Sequence, residues 1–159
     1  MKKMIASLVM CLLAVCALGA DPSASPVFQM RLTSDSAVDN VEEMTLVTDH
    51  HDSPVKVKYY VQKKVLLDQT ALKSAKVAVD KTSGRPHIEI VFSDDGRKRF
   101  ADVTRENIGH QLAIVLDGQL YCAPVIRTEI PGGNAVVDGA FSKEEADQLA
   151  AKINGALKK

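Results

Sequence analysis

One stretch of this sequence constrains the fold more than any other: an apolar run that is followed at once by Asp-Gly. Leu112–Leu116 has no polar position on either face, which predicts a strand buried on both sides of a sheet. Asp117-Gly118 is typical of a two-residue turn in which both residues have positive φ. Residues 119–127 then predict the returning strand, with Pro124 at a bulge or an unpaired position. The pattern therefore predicts an antiparallel hairpin whose first strand is central in its sheet.

Alternating apolar residues predict further strands on both sides of this hairpin. These strands are expected at residues 27–33, 43–48, 55–61, 77–80, 87–92 and 135–138. Asp68 or Thr70 is placed to cap a short turn between the third and fourth of them. Such spacing is typical of a sheet built mostly from antiparallel neighbours.

Two later segments have helical spacing instead. The first is expected to open at Asp94 or Asp95 and to place Phe100 and Val103 on one side. The second begins at Ser142, which has Glu145 three residues on, the spacing of a capping box. Gly155 is the expected stop of this second helix. The sequence predicts an α+β fold with a mainly antiparallel sheet and two or three helices.

The N-terminus has the layout of a secretory signal peptide. Lys2 and Lys3 precede an apolar stretch at residues 4–17, small residues follow at 17–20, and polar residues begin at Asp21. We expect residues 1–20 to be removed on export, which predicts a periplasmic or secreted protein. An uncleaved anchor is one alternative. Lipidation of Cys16, which would anchor the protein in the cell envelope, is another.

The remaining chain divides into two parts by pattern. Residues 21–65 are rich in predicted strands and match no family pattern, whereas residues 66–157 carry the hairpin and both helices.

Basic and acidic residues are equal at 20 each, and the leader takes two lysines and no acids, so the exported part is slightly acidic. This balance argues against a nucleic-acid partner, and membrane contact is expected only through a lipid anchor. Cys122 is the one cysteine outside the leader and is interpreted as a small buried hydrophobic residue.

A search for catalytic and metal-binding patterns finds little. His50-His51-Asp52 has no H-x-x-x-H or C-x-x-C partner, and neighbours on an extended chain point opposite ways. There is no G-x-S-x-G pattern, and Gly132-Gly133 lacks the helix and lysine that phosphate binding uses. Asp94-Asp95 and Glu144-Glu145 stand at helix starts, where acids offset the helix dipole. We therefore expect no catalytic residue, no cofactor and no metal, with a small hydrolase as the least favoured alternative.

Several short segments, taken in order and spacing, carry a family resemblance. They are Phe100, TRENIG at 104–109, LAIVLDG at 112–118, APVI at 123–126, IPGG at 130–133, GAFSKEEA at 139–146 and LA at 149–150. Over residues 66–157 the chain resembles the head part of the first periplasmic domain of SecD, an accessory subunit of the Sec protein-export machine. The family-motif positions, expected to be structural, are Phe100, Thr104, Asn107, Gly109, Asp117, Gly118, Pro124, Gly132, Gly133, Gly139, Glu145 and Ala146.

The resemblance implies an α+β domain that contacts an emerging, unfolded polypeptide on the trans side of the membrane. It also implies Sec translocon components as partners. Proton-driven export depends on the transmembrane helices of SecD, and the expectation is that it does not carry over to a sequence that ends at Lys159. The leading hypothesis is a non-catalytic module that binds polypeptide. The alternative is an envelope interaction protein that uses the fold for an unrelated partner.

Overall fold

The computed structural model describes residues 26–50 and 53–158. The leader, Cys16, His51 and Asp52 lie outside these residues, and so do the expectations attached to them. The strands are β1 (Phe28–Ser34), β2 (Val41–His50), β3 (Ser53–Gln62), β4 (Leu67–Asp68), β5 (Leu72–Val79), β6 (Pro86–Phe92), β7 (Leu112–Leu116), β8 (Gln119–Cys122) and β9 (Asn134–Val137). The helices are α1 (Asp94–Glu106) and α2 (Lys143–Ala156), and a 3-10 turn spans Gln69–Ala71.

These strands form two antiparallel sheets. The larger sheet has the order β2-β3-β1-β7-β8, with β4 paired beside the first half of β1, and the smaller sheet has the order β5-β6-β9. Each sheet pairs strands that are far apart in the chain, since β1 pairs with β7 and β6 pairs with β9. The prediction of an α+β fold with mainly antiparallel strands is confirmed.

The hairpin predicted at Asp117-Gly118 is present. All five residues of β7 are buried, and Asp117 and Gly118 have φ values of 48° and 79°. The returning strand is shorter than expected, because β8 ends at Cys122 rather than at residue 127. The pairing is irregular within the hairpin, because the register shifts at Tyr121, between the pairs Ile114–Cys122 and Val115–Leu120. Beyond Cys122 the Leu112 N–H donates to the Pro124 carbonyl at 2.9 Å.

Replacing Gly118 by valine is expected to cost about 1–3 kcal/mol of stability, because a β-branched residue is strained at positive φ. A Cβ at Gly118 would meet nothing within 4 Å, so the cost comes from the backbone alone. Gly132→Val is the matched control, since a Cβ there would also face open space but Gly132 does not have a positive φ. Thermal denaturation should show a lower Tm for Gly118→Val than for the control. Equal melting temperatures would mean that this turn does not have the described conformation.

Both helices pack on one main core. It includes Phe28 and Met30 from β1, Phe100 from α1 and Ile153 from α2, all at most 2% exposed. The capping box of α2 is confirmed: the Glu145 N–H donates to Ser142 Oγ at 3.1 Å, and the Ser142 N–H donates to Glu145 Oε2 at 2.8 Å.

Two helix boundaries differ from the sequence expectation. The N-cap of α1 is Ser93 rather than Asp94 or Asp95, because the Ser93 hydroxyl both accepts from the Gly96 N–H and donates to the Ala71 carbonyl, each at 3.1 Å. The two aspartates occupy the first turn. Gly155 does not stop α2, which continues to Ala156 without a left-handed residue at its end.

A smaller apolar cluster lies on the opposite side of the larger sheet. It joins Leu46 and Val61 of the β2–β3 hairpin to Val115 of β7 and Leu120 of β8. The N-terminal third of the chain therefore contributes to both cores.

None of the described helices is long and apolar enough to cross a membrane.

Candidate functional site: an apolar cleft between the two sheets

A cleft of about 380 Å³ opens between the two sheets beside α1, and we call it the sheet cleft. Its floor belongs to the main core and includes Met30, Phe100 and Ile114. One wall is the segment 124–130, which follows β8, and the other is the first three residues of β9, 134–136. The volume is in the range that holds small ligands or a few side chains.

The walls of the sheet cleft expose large apolar side chains to solvent. Val125 is 44% exposed, Ile130 is 38% exposed and Val136 is 52% exposed. Arg127 is the one charged residue among those that line it. Apolar side chains gathered around a concave site, unlike single ones scattered on a surface, indicate a place where another apolar group is covered.

A buried hydroxyl holds the first wall against α1. Thr104 is fully buried, and its single hydroxyl proton is shared between the carbonyls of Phe100 and Ala101, which lie 2.9 and 3.0 Å from Oγ1. The same oxygen accepts the backbone N–H of Ile130 at 3.0 Å. This motif residue therefore satisfies a polar group of the wall and fixes the position of Ile130.

The turn after α1 holds the other end of the same wall. The Asn107 amide donates to the Val103 carbonyl at 2.7 Å and closes the helix end. Gly109 has a φ of 90°, which favours glycine, and its N–H donates to the Ile126 carbonyl at 2.8 Å. The Ile126 N–H in turn donates to the His110 carbonyl at 2.9 Å. The wall is thus fastened at both ends by positions of the family motif.

The second wall is set by the Gly132-Gly133 turn that leads into β9. Gly133 has a φ of 71°, and a Cβ there would come within 2.8 Å of the Arg97 side chain. Its carbonyl accepts the Phe92 N–H at 3.0 Å, so the turn is joined to the last residue of β6. Gly132 and Gly133 therefore position a strand rather than a phosphate.

The other motif residues divide by location. Phe100, Thr104 and Pro124 line the sheet cleft. Glu145 belongs to the capping box, and Ala146 is fully buried. Gly139 lies where a Cβ would be 3.0–3.2 Å from the Phe141 and Tyr121 rings, which stack on one another with centroids 4.7 Å apart.

Groups that could act as nucleophiles or metal ligands do not gather in the described part of the chain. Its residues include no cluster of three His, Cys, Asp or Glu side chains that could hold a metal ion. Cys122 is half-buried and free, and burial together with nearby Asp138 raises the pKa of its thiol to about 12. A thiol with that pKa is protonated at neutral pH and is a poor nucleophile.

Replacing Thr104 by valine should loosen the Ile130 wall, because the change keeps the shape but leaves the Ile130 N–H without its acceptor. The expected loss is about 1–3 kcal/mol, the cost of an unpaired buried polar group. Thr104→Ser retains the hydroxyl and is the control. Hydrogen exchange of the Ile130 amide should accelerate in the valine variant and much less in the serine variant. Identical exchange in both would show that the hydroxyl does not hold this wall.

In the sequence, the wall residues Val125 and Ile130 stand out only as parts of the family motif. Val125 follows Pro124 and Ile130 precedes Pro131, and proline is confined to the edges, starts and bulges of strands. An apolar residue beside a proline in a turn is a weak signal of an exposed apolar site. Val136 carried no such signal, because the run Ala135–Val137 is apolar on both faces of β9 and does not show which face is exposed.

Known proteins similar to this chain include protein translocase subunits SecDF and SecD. SecDF of Thermus thermophilus is 49% identical over 85 residues, which cover 54% of this chain and 11% of that protein. SecD of Endomicrobium trichonymphae is 45% identical over 108 residues, covering 67% of this chain and 23% of that protein. The chain thus spans less than a quarter of the length of these curated relatives.

Solved structures agree with the sequence matches. A structure of SecDF, described as a membrane component that enhances protein export, aligns with a TM-score of 0.62 and 31% identity, covering 80% of this chain and 61% of that one. SecDF in a super-membrane-facing form aligns with the same TM-score and 32% identity, covering 80% of this chain and 18% of that one. The family model of the SecDF P1 head subdomain matches residues 43–159, beginning ahead of the segment at 66–157 that carried the resemblance. This chain belongs to the SecDF P1 head subdomain family.

Proposed function

We propose that this protein binds short apolar stretches of unfolded polypeptide in the sheet cleft and takes part in protein export in this way. The observation that carries the proposal is the concentration of exposed apolar side chains on the two cleft walls. Membership of the SecDF P1 head subdomain family supports the connection with export.

The chemistry of the cleft favours binding without reaction. Its lining is apolar apart from a few polar groups, and Thr104 already uses its hydroxyl in three hydrogen bonds. Covering Val125, Ile130 and Val136 would release water from apolar surface, which is the main source of affinity here. A folded protein keeps its apolar stretches inside, so an unfolded chain is the partner that can supply them.

The affinity should be modest and nearly independent of salt. A protein that handles a passing chain must release it, which points to a micromolar Kd, equivalent to about −8 kcal/mol. Added salt screens interactions between exposed charges, and apolar contacts do not depend on them. Among the lining residues only Arg127 would make binding respond to ionic strength.

The site of action proposed here is the trans side of the membrane. The signal-peptide pattern predicted at residues 1–20 supports this proposal, and so does the periplasmic setting implied by the family resemblance. N-terminal sequencing of protein from the envelope fraction tests it: a terminus near Asp21 supports cleavage, and an acylated terminus at Cys16 supports the lipid-anchored alternative.

The direct test compares two valines that have the same exposure. Val136 is 52% exposed on β9, which borders the cleft, and Val79 on β5 is 53% exposed outside the cleft lining. The purified protein and its Val136→Ser and Val79→Ser variants are titrated with reduced, carboxymethylated α-lactalbumin, an unfolded secretory protein, and with the native form.

We expect binding to the unfolded form, little binding to the native form, and about three- to tenfold weaker binding for Val136→Ser only, since covering the exposed half of a valine is worth roughly 0.7–1.4 kcal/mol. Equal effects of the two substitutions would show that the cleft is not the site. Absence of binding together with tight capture of one folded envelope protein would favour the alternative of an unrelated partner.

A further inference from the structure

The hydrogen bonds of β9 fix which of its peptide groups are free. The Phe92 N–H donates to the Gly133 carbonyl, and the register pairs Ile90 with Ala135 and Ile88 with Val137. Bonded pairs alternate along an antiparallel ladder, so residues 133, 135 and 137 direct their peptide groups toward β6. Asn134 and Val136 therefore direct theirs away from the sheet. Within the part of the chain that the structure describes, β9 has no further strand on that side.

The opposite edge of the same sheet is occupied. The Asn154 side chain of α2 accepts the Ala75 N–H at 2.9 Å and donates to the Ala75 carbonyl at 2.8 Å. This amide imitates a neighbouring strand and covers the middle of the β5 edge with a helix. It also supports the assigned alternation, because Ala75 lies opposite Ile90, whose own bonds go to β9. Protection of an exposed edge is usual in β-proteins, which makes the open edge of β9 informative.

The open edge of β9 lies at the sheet cleft. Residues 134–136 form one wall, and the other wall, 124–130, presents apolar Val125 and Ile130. Main-chain donors and acceptors thus border the same space as the exposed apolar side chains. An extended segment placed about 4.8 Å from β9 could bond the main-chain groups of β9 and contact the apolar side chains at the same time.

We infer that the polypeptide bound in the sheet cleft adds as an extended strand to β9, bonding the N–H and C=O of Val136 and placing alternate side chains in the cleft. This inference rests on the proposed function and specifies how the client is recognised. Strand addition obtains affinity from the main chain and selectivity from alternate side chains. The inserted stretch should be apolar at every second position, and it should lack Lys and Arg near Arg127, where like charges repel.

Backbone replacement in a peptide tests the alternation directly. The probe is a fluorescently labelled, end-capped KSVTITVSK peptide, whose terminal lysines keep its apolar centre in one register. At each of the five central positions in turn the amide N–H is replaced by an ester oxygen, which removes one donor and keeps the shape. Esters at every second position should weaken binding about three- to tenfold, the cost of losing one net hydrogen bond, and the intervening esters should leave the Kd unchanged.

A variant of β9 supplies the matching test on the protein. Val136→Pro removes the outward N–H and leaves the bonds to β6, an edge position where proline is tolerated. Val136→Ala shortens the side chain and retains the N–H. We expect Val136→Pro to weaken peptide binding more than Val136→Ala, with a Tm near that of the wild type. The ester series on the wild-type protein decides the question if Val136→Pro fails to fold.

The outcomes separate this inference from the proposed function. If Val136→Ser weakens binding and none of the five esters does, the cleft binds apolar side chains without main-chain hydrogen bonds. That result would overturn strand addition and retain the proposed function. Failure of the unfolded protein itself to bind would overturn the proposed function. Dimers in sedimentation that are lost with Val136→Pro would show that β9 pairs with a second copy, which would also overturn the inference.

Discussion

Gly96→Ala is expected to destabilise the protein by about 3 kcal/mol or more, the upper part of the range for overpacking a core. A Cβ on Gly96 would lie 1.8 Å from the Ala71 carbonyl oxygen and 2.7 Å from its carbon. Both atoms belong to the backbone, so no side-chain rotation can relieve the clash. α1 would have to move off the turn at Gln69–Ala71, which would break the bonds of the Ser93 cap to Ala71.

The direction of this effect is opposite to the intrinsic preference, since alanine in place of glycine normally favours a helix by up to about 1 kcal/mol. Gly155→Ala is the matched control, because Gly155 is also helical and a Cβ there would meet nothing within 4 Å. Urea denaturation should show Gly96→Ala strongly destabilised and Gly155→Ala unchanged or slightly stabilised. Two stabilised variants would mean that α1 does not sit against Ala71 as described.

Phe28→Ala is expected to cost about 3–5 kcal/mol, the usual loss for truncating a buried phenylalanine. Phe28 is 0% exposed in β1 and pairs with Leu116 of β7, the central hairpin strand. It precedes residue 43, where the family match begins. We propose that the segment 21–65 folds as part of the same domain as residues 66–157, because β1 lies between β3 and β7 in the larger sheet.

The same experiment tests that proposal. Val38→Ala, at a position that is 56% exposed, should change the free energy of unfolding by less than about 0.5 kcal/mol, as surface substitutions usually do. Both variants should unfold in one cooperative transition. A Phe28→Ala protein that melts like the wild type, or that loses a separate early transition, would show that β1 is not part of the common core.

Local features of this fold could be predicted from the sequence because their causes are local. The turn at Asp117-Gly118 depends on two residues, and the cap of α2 depends on Ser142 and Glu145. The apolar run at Leu112–Leu116 indicated a central strand because it has no polar face. Each of these predictions needs only a few neighbouring residues.

Other features depend on contacts between distant segments and had no local signal. Ser93 became the cap of α1 because Ala71 supplies a second partner for its hydroxyl. The placement of β1 beside β7 follows from burying Phe28 and Met30 in a shared core. The candidate site was the least predictable part, because the sheet cleft exists only where the end of one sheet meets the outer strand of the other.

Chemical-shift mapping on the ¹⁵N-labelled protein is the most direct test of the proposed binding of unfolded polypeptide in the sheet cleft. Carboxymethylated α-lactalbumin is the added chain. If the cleft is the site, the amides of residues 124–130 and 134–136 shift and saturate together, with the Val136 amide among the largest changes. Shifts confined to the β2–β3 hairpin or to α2, with the cleft amides unmoved at saturation, would contradict it.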